Sequence, residues 1–308
     1  MLLMRKIITL LLIPLLWLAA TSAWAEFVVS HRSPYAPGDT HHEYSTALLQ
    51  LALEKTRADY GDYRLNPIPP RNYARALKAL VDDSYPNLVI ETSYEQSLAR
   101  NGNLTFINFP VDLGVLGYRV CFINPKLKAA GLDVKTLKDL LPYTFAHGVG
   151  WADTIIFRHN GLKVREIDNY DAVFLMVIGG RVDFFCRGVN EVLGEAEQFS
   201  HLDNLMLDDQ FMLVYPLPRF FYFNAKSTLA QARIEAGLKR AFSDGSLQSL
   251  WKSYYQASLD YAKLKGRRIV HLQNPLVRDL EVPPAMDFME LLDEKAPQIQ
   301  PSPSSKAK

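Results

Sequence analysis

The sequence predicts an α/β fold in two parts. Apolar runs of strand length alternate with helix-period segments twice along the chain, once over 27–93 and again over 136–198. A glycine-bounded run at 182–186 has an apolar helical segment before it and another segment after it, a βαβ-type arrangement with a parallel sheet. At 308 residues the chain is long enough for two domains or lobes.

The first residues set the compartment. Arg5 and Lys6 precede an apolar run at 7–18, and Ala23-Trp24-Ala25 is an A-x-A cleavage site. That pattern is a secretory signal peptide; the run is too short for a membrane span. No cysteine follows the site, so no lipid anchor is expected and the mature protein is expected to be soluble in the periplasm from Glu26. Cleavage leaves 32 Lys and Arg against 33 Asp and Glu, a formal charge of about −1, which argues against a general nucleic-acid binder.

Residues 27–31 read as a first strand, followed by a Pro- and Gly-containing turn with Tyr35. Thr40 with Glu43 fits a capping box, and Tyr44, Ala47, Leu48, Leu51 and Ala52 give the next helix its apolar face. Strands at 64–68 and 88–90 flank a helix carrying Tyr73, Leu77, Leu80 and Val81, and Glu91-Thr92-Ser93 stands at a carboxyl strand end. Extended segments at 104–109 and 117–123 come next. Arg119 interrupts the second, and a charge inside an apolar strand must be paired or face a cleft.

The second series opens with Thr136 capping a short helix, a strand at 143–146, and a glycine turn, Gly148-Val149-Gly150, into a helix that stops at Asn160-Gly161. A strand at 164–167 and a helix behind Asn169 lead to the central run, with Arg187 and Gly188 at its end and a segment at 189–198 beyond. Arg187 is either an exposed turn residue or a fork for a carboxylate or phosphate beyond a strand end. Strands at 211–215 and 220–223 and helices from Ser227 and Ser246 follow. The pattern weakens after Ala257, and the Pro-, Ser- and Lys-rich end, 297–308, is expected to be disordered.

Catalytic and metal motifs are absent: there is no G-x-S-x-G elbow, no H-E-x-x-H and no acid/base pair, so an enzyme is not expected. Adjacent His41 and His42 would point to different sides of a helix, which leaves no metal site. The turn at 148–150 either serves only as a turn or offers backbone donors to an anion at a helix start. Trp151 in that turn is expected to face a ligand, whereas core packing is expected for Tyr215. Cys121 and Cys186 lie in separate apolar runs and are expected to be buried free thiols.

The motifs Leu116-Gly117-Tyr118-Arg119-Val120, Gly150-Trp151-Ala152-Asp153-Thr154, Asn160-Gly161-Leu162-Lys163-Val164 and the run from Gly180 to Glu191 resemble those of bacterial extracellular solute-binding proteins of family 3, the receptors of amino-acid ABC importers. The similarity spans roughly 27–257 and is greatest with an uncharacterised branch. It implies the type II periplasmic binding protein fold: two α/β lobes joined by a two-strand hinge, lobe 1 formed by 26–120 with 214–260 and lobe 2 by 121–213. A C-terminal extension would cover 261–308, and the crossings would lie near 119–124 and 211–216. The implied ligand-binding set is Tyr35, Arg71, Thr92, Ser93, Arg119, Gly148, Trp151, Asp153, Thr154, Arg187, Asn190 and Glu191. Arg119 would hold a ligand carboxylate, with the 148–154 turn supplying donors to the same group. No cofactor is implied, and the protein would be a monomer. Its partner would be an ABC permease or, as the alternative, a membrane sensor. Where the family carries an acid for the ligand's ammonium, this chain reads Arg187-Gly188. Weak binding of neutral amino acids is therefore expected, with preference for a small polar or anionic solute, unless Glu191 or Asp153 turns into the cleft to meet an amine.

Protein recovered from the periplasm should have the intact mass of a chain beginning at Glu26; retention of residues 1–25 would overturn the signal-peptide reading.

Overall fold

The computed structural model describes residues 26–33 and 42–280. The signal peptide, Tyr35, Thr40 and the segment 281–308 lie outside the described residues. In chain order the first elements are β1 (Phe27–His31), α1 (Glu43–Glu54), α2 (Arg57–Tyr60), β2 (Tyr63–Pro67), α3 (Tyr73–Val81), β3 (Val89–Ser93), α4 (Gln96–Ala99) and β4 (Leu104–Phe106). After a 3-10 turn at Val115–Gly117 come β5 (Tyr118–Ile123), α5 (Pro125–Ala129), α6 (Leu137–Leu140), β6 (Thr144–Gly148), α7 (Ala152–His159), β7 (Lys163–Ile167), α8 (Tyr170–Ile178), β8 (Phe184–Gly188) and α9 (Val192–Gln198). The chain continues through β9 (Met206–Leu207), β10 (Phe211–Val214), β11 (Arg219–Asn224), α10 (Thr228–Ser243), α11 (Ser246–Ala262) and β12 (Arg268–His271).

Local chemistry places most of these boundaries. The Asn72 and Asn169 side chains cap α3 and α8 by accepting from the N–H groups of Arg75 and Ala172. Thr136 and Asp139 form a reciprocal capping box at α6. The expected box at Thr40 does not govern α1, whose N-cap is His42, with no capping bond from its side chain.

Two sheets result. The first runs β2-β1-β3-β11-β4, with β1 parallel to β2 and β3 and β11 antiparallel to its neighbours. The second runs β12-β10-β5-β8-β6-β7, with β6 parallel to both β7 and β8 and β9 pairing β5. Each of the expected parallel series therefore forms half of one lobe. The chain passes between sheets over 107–117 and 215–218. The expected crossings, 119–124 and 211–216, fall largely within β5 and β10, which belong entirely to the second sheet. At the true crossings the two segments touch backbone to backbone: a Cβ on Gly117 would stand 2.2 Å from the Tyr215 carbonyl oxygen, so only glycine fits there.

A third passage was not legible in the sequence. Beyond α11 the chain returns to the second lobe, where β12 pairs in parallel with β10. Buried Arg267 ties this return down, donating to the carbonyls of Ala262, Asp208 and Phe211 at 2.7–3.0 Å. Residues 268–271 thus complete a sheet instead of forming a separate extension. Their β-branched pair, Ile269-Val270, is too short a signal for a strand assignment.

The free-thiol expectation is overturned. Cys121 on β5 and Cys186 on β8 are directly paired in the antiparallel register and joined by a disulfide. The two residues belong to one lobe, so the bond fastens neighbouring strands and does not tether lobes. Strand pairing across 65 residues of sequence brought them together, which no reading of either local run could show.

Thiol titration of the denatured protein should find no free thiols. Removing the bond with a Cys121→Ser, Cys186→Ser pair should cost about 4 kcal/mol, the chain-entropy value for a loop of this length, read from urea unfolding. Two titratable thiols in the denatured protein, purified without reductant, would contradict the pairing.

Candidate functional site

The site grows from the ends of β5 and β8. Arg119 pairs with Gly188 and Val120 with Arg187, so the two arginines leave opposite faces of the sheet at its edge toward the other lobe. Glu191, three residues past Gly188, folds back over the strand end. Its Oε2 accepts the Gly188 N–H at 3.0 Å and lies 3.3 Å from Arg119, while its Oε1 lies 3.2 Å from Arg187. A Cβ on Gly188 would sit 2.7 Å from that carboxylate and 2.5 Å from Asn190 Oδ1, so glycine is what lets the chain close here.

Each arginine has a further acidic partner. Asp153, in the first turn of α7, is 3.0 Å from the Arg119 guanidinium and accepts the Tyr215 hydroxyl, which itself accepts from Arg119 Nε at 3.0 Å. Glu195 on α9 accepts from Arg187 Nε and from the Tyr170 hydroxyl, both at 2.5 Å. Burial opposes the charge on both arginines, yet the carboxylates around them raise their pKa further above the usual arginine range. Burial also works against ionised Asp153, but Arg119 beside it holds its carboxyl below the usual range. Glu195 is pushed up, because burial there outweighs Arg187.

Arg187 also stacks 4.7 Å from the Trp151 ring centre, near Tyr170 and Phe185. The Trp151 ring covers Gly148, where a Cβ would stand 2.4 Å from it. The facing wall belongs to the first lobe. There Thr92 exchanges a hydrogen bond with the Tyr73 hydroxyl at 3.1 Å, and Glu91 pairs with Arg219 at 2.8 Å. Between the walls lies a cleft of about 460 Å³.

Seven of the expected residues line this cleft together: Thr92, Ser93, Arg119, Trp151, Asp153, Arg187 and Glu191. Asn190 lines an adjoining chamber. Gly148 lies beneath the indole, and Thr154 is buried within the second lobe with its hydroxyl unpartnered among the described residues. Arg71 stands apart, donating to the Tyr85 hydroxyl at 2.5 Å and lining neither space. Tyr35 is outside the described residues.

Two premises need correction. Arg187-Gly188 does not leave the strand end without an acid, because Glu191 supplies one from the following turn. Arg119 is no bare cation waiting for a carboxylate, since Asp153 and Glu191 already face it. Tyr215 is buried, as expected, but its hydroxyl belongs to the charged network. The sequence reading missed Tyr73, Tyr170, Glu195 and Arg219. The last was detectable by the rule that exposed Arg119, a charge at the head of an apolar strand. Among the described residues no group of three His, Cys, Asp or Glu could hold a metal ion.

No family model and no curated protein matches the chain. Solved structures do. YckB of Bacillus subtilis is 17% identical with a TM-score of 0.53, over 80% of this chain and 96% of its own. The GluR0 ligand-binding core of Nostoc punctiforme, in complex with L-glutamate, is 14% identical with a TM-score of 0.52, over 74% and 99%. The BvgS VFT2 domain of Bordetella pertussis, as a double mutant, is 18% identical with a TM-score of 0.51, over 74% and 92%. The chain has the two-lobed type II periplasmic binding protein fold that these structures share.

His147 on β6 generates a test of this packing. It is fully buried, neither ring nitrogen has a partner among the described residues, and burial pushes its pKa down to about 4. Between that value and the ordinary 6.5 the unfolded chain binds a proton that the native state refuses. Its contribution is therefore intact above about pH 6.5 and lost as pH falls toward 4, a loss on the order of 2–3 kcal/mol by pH 4.5. Urea unfolding at pH 7 and pH 4.5 should show that much less acid destabilisation in His147→Phe than in the parent. An equal loss in both would contradict a neutral buried imidazole.

Proposed function

We propose that the protein is a periplasmic receptor that captures a small polar solute between its lobes for an ABC importer. The observation that carries this reading is a cleft whose two walls come from different sheets, each presenting charged and hydroxyl groups. Thr92, Ser93, Tyr73 and Arg219 face Arg119, Asp153, Trp151 and Glu191 across it. Such a site is complete only when the walls close on something small, and closure strengthens each polar contact by excluding water. The likeness to the GluR0 core bound to L-glutamate, and to an ancestral arginine-binding protein bound to arginine at a TM-score of 0.50 and 14% identity, supports a solute of amino-acid size. Periplasmic location rests on the signal-peptide pattern of residues 1–25.

The electrostatics narrow the solute. Arg119, Arg187 and Arg219 each face a carboxylate already. A bare anion would have to enter against those acids, so a polar or zwitterionic solute fits better than the purely anionic one that the strand-end arginines suggest in sequence.

Native mass spectrometry of freshly purified periplasmic protein should find a retained small molecule, and a thermal-shift panel of amino acids, amines, sugars and dicarboxylates should identify its class. Thr92→Val, on the wall opposite the charged network, should weaken binding about tenfold, the worth of a hydrogen bond to a charged group. An empty protein that no panel member stabilises would overturn the receptor reading.

A further inference from the structure

Beyond Glu191 and Tyr170 the cleft opens into a second chamber of about 500 Å³, walled by α1, α9 and α11. Its lining is acidic: Glu43, Glu91, Asp112, Glu191, Glu195 and Glu197, with Arg219 the only lysine or arginine among the described residues that line it. Counting Arg119 and Arg187, which meet Glu191 and Glu195 from the cleft side, and Asp153, which pairs with Arg119, seven carboxyls face three guanidiniums among the described residues.

Two buried oxygens point to a missing donor. The Asp112 side chain takes the Gly114 N–H at 3.2 Å through Oδ1, and its Oδ2 is buried without a partner among the described residues. Glu195 uses Oε1 for Arg187 and Tyr170, and its Oε2 is likewise unpartnered. The residues are 1% and 6% exposed, and both line the chamber. Buried polar atoms nearly always have partners, so spare carboxylate oxygens on two residues of one chamber's lining call for a donor that the described residues do not supply, a solute group or a bound water. Asp112 is held there firmly: Tyr44 donates to the Val111 carbonyl at 2.7 Å and Trp251 to the Asp112 carbonyl at 3.0 Å. Burial lifts its pKa to about 6, which leaves it largely ionised at neutral pH.

The remaining wall is aromatic. Tyr44 lies 5.6 Å from Tyr254 and 4.8 Å from Tyr255 between ring centres, with Tyr170 across the chamber. Carboxylates among tyrosine rings suit a diffuse organic cation, which gains from both charge and ring faces. A metal ion would need three ligands converging on one point, and no such group occurs among the described residues.

We propose that the chamber receives the cationic arm, ammonium or guanidinium, of a solute whose polar end lies in the cleft between Thr92 and Glu191. This rests on the receptor reading and adds the charge of the solute to it. Neither the expected anion preference nor the strand-end arginines would lead there; the surplus of acid lining the chamber does.

Isothermal titration with matched probes tests it: L-arginine against L-citrulline, and L-lysine against norleucine. The cationic member of at least one pair should bind tenfold or more tightly than its neutral partner. Asp112→Asn keeps the acceptor for Gly114 and should weaken the cation about tenfold while changing the neutral probe less than twofold. Glu43→Gln with Glu197→Gln, both at exposed positions, is a second variant that spares the fold and should weaken the cation by a smaller factor. Equal affinities within both pairs, or a co-purified solute without a cationic group, would overturn the cationic arm while leaving the receptor standing. No bound solute by native mass spectrometry and no binding of any panel member would instead bring down the receptor reading itself.

Discussion

The carboxylate of Glu191, folded back over Gly188, joins what would otherwise be two like charges at one strand end. Arg119 and Arg187 emerge from adjacent strands into a buried setting, and without Glu191, Asp153 and Glu195 the cost of desolvating them would be several kcal/mol per ion. With those acids in place the arginines become the fixed framework of the second lobe's cleft wall. Trp151 stacks on Arg187, Tyr170 on the same guanidinium, and Tyr215 reaches the network from the crossing segment. The charges hold the site together by pairing with one another.

That framework is braced from below and behind. The Cys121–Cys186 bond lies two residues along β5 from Arg119 and next to Arg187 on β8, so the register that sets the arginines apart is covalently fixed. Behind, α11 of the first lobe's helical layer meets α9, where the Ser258 hydroxyl donates to the Val189 carbonyl at 2.7 Å and accepts the Leu193 N–H at 3.2 Å. A single apolar cluster accordingly runs from Leu48 and Trp251 through Val111 and Val115 to Val120 and Val192. The third passage, pinned by Arg267, leaves the lobes less free than two crossings alone would.

In the proposed receptor the cleft and the acidic chamber would divide the work of recognition. In the cleft every guanidinium has an acid, so hydrogen bonding and shape would decide what enters. In the chamber the balance tips to carboxylate, and the unpartnered oxygens of Asp112 and Glu195 would make charge decisive. Asp112 sits on the first crossing, with Glu91 and Arg219 of the first lobe and Glu191 of the second around the same space. Occupying it would therefore act on the segment that joins the two sheets.

Local chemistry was legible in the sequence. Thr136 and Asn169 announce their helices because a cap acts within three residues, and the alternation of strand and helix announces two parallel series because side-chain periodicity is a property of neighbours. Arg119, Trp151 and Arg187 stood out for a similar reason, being charges or rings in apolar or glycine-rich surroundings, Asp153 and Glu191 entered through the family resemblance, and the fold does gather all five at one cleft. What the sequence could not decide was which groups those residues meet. The disulfide depends on strands 65 residues apart lying side by side, and the Arg119–Tyr215 contact spans 96 residues. The sign of the site's charge depends on Glu191 turning back across a glycine and on Asp112 arriving from the crossing. Pairing of buried charges is a matter of ångströms in space, and only the tertiary structure sets those distances.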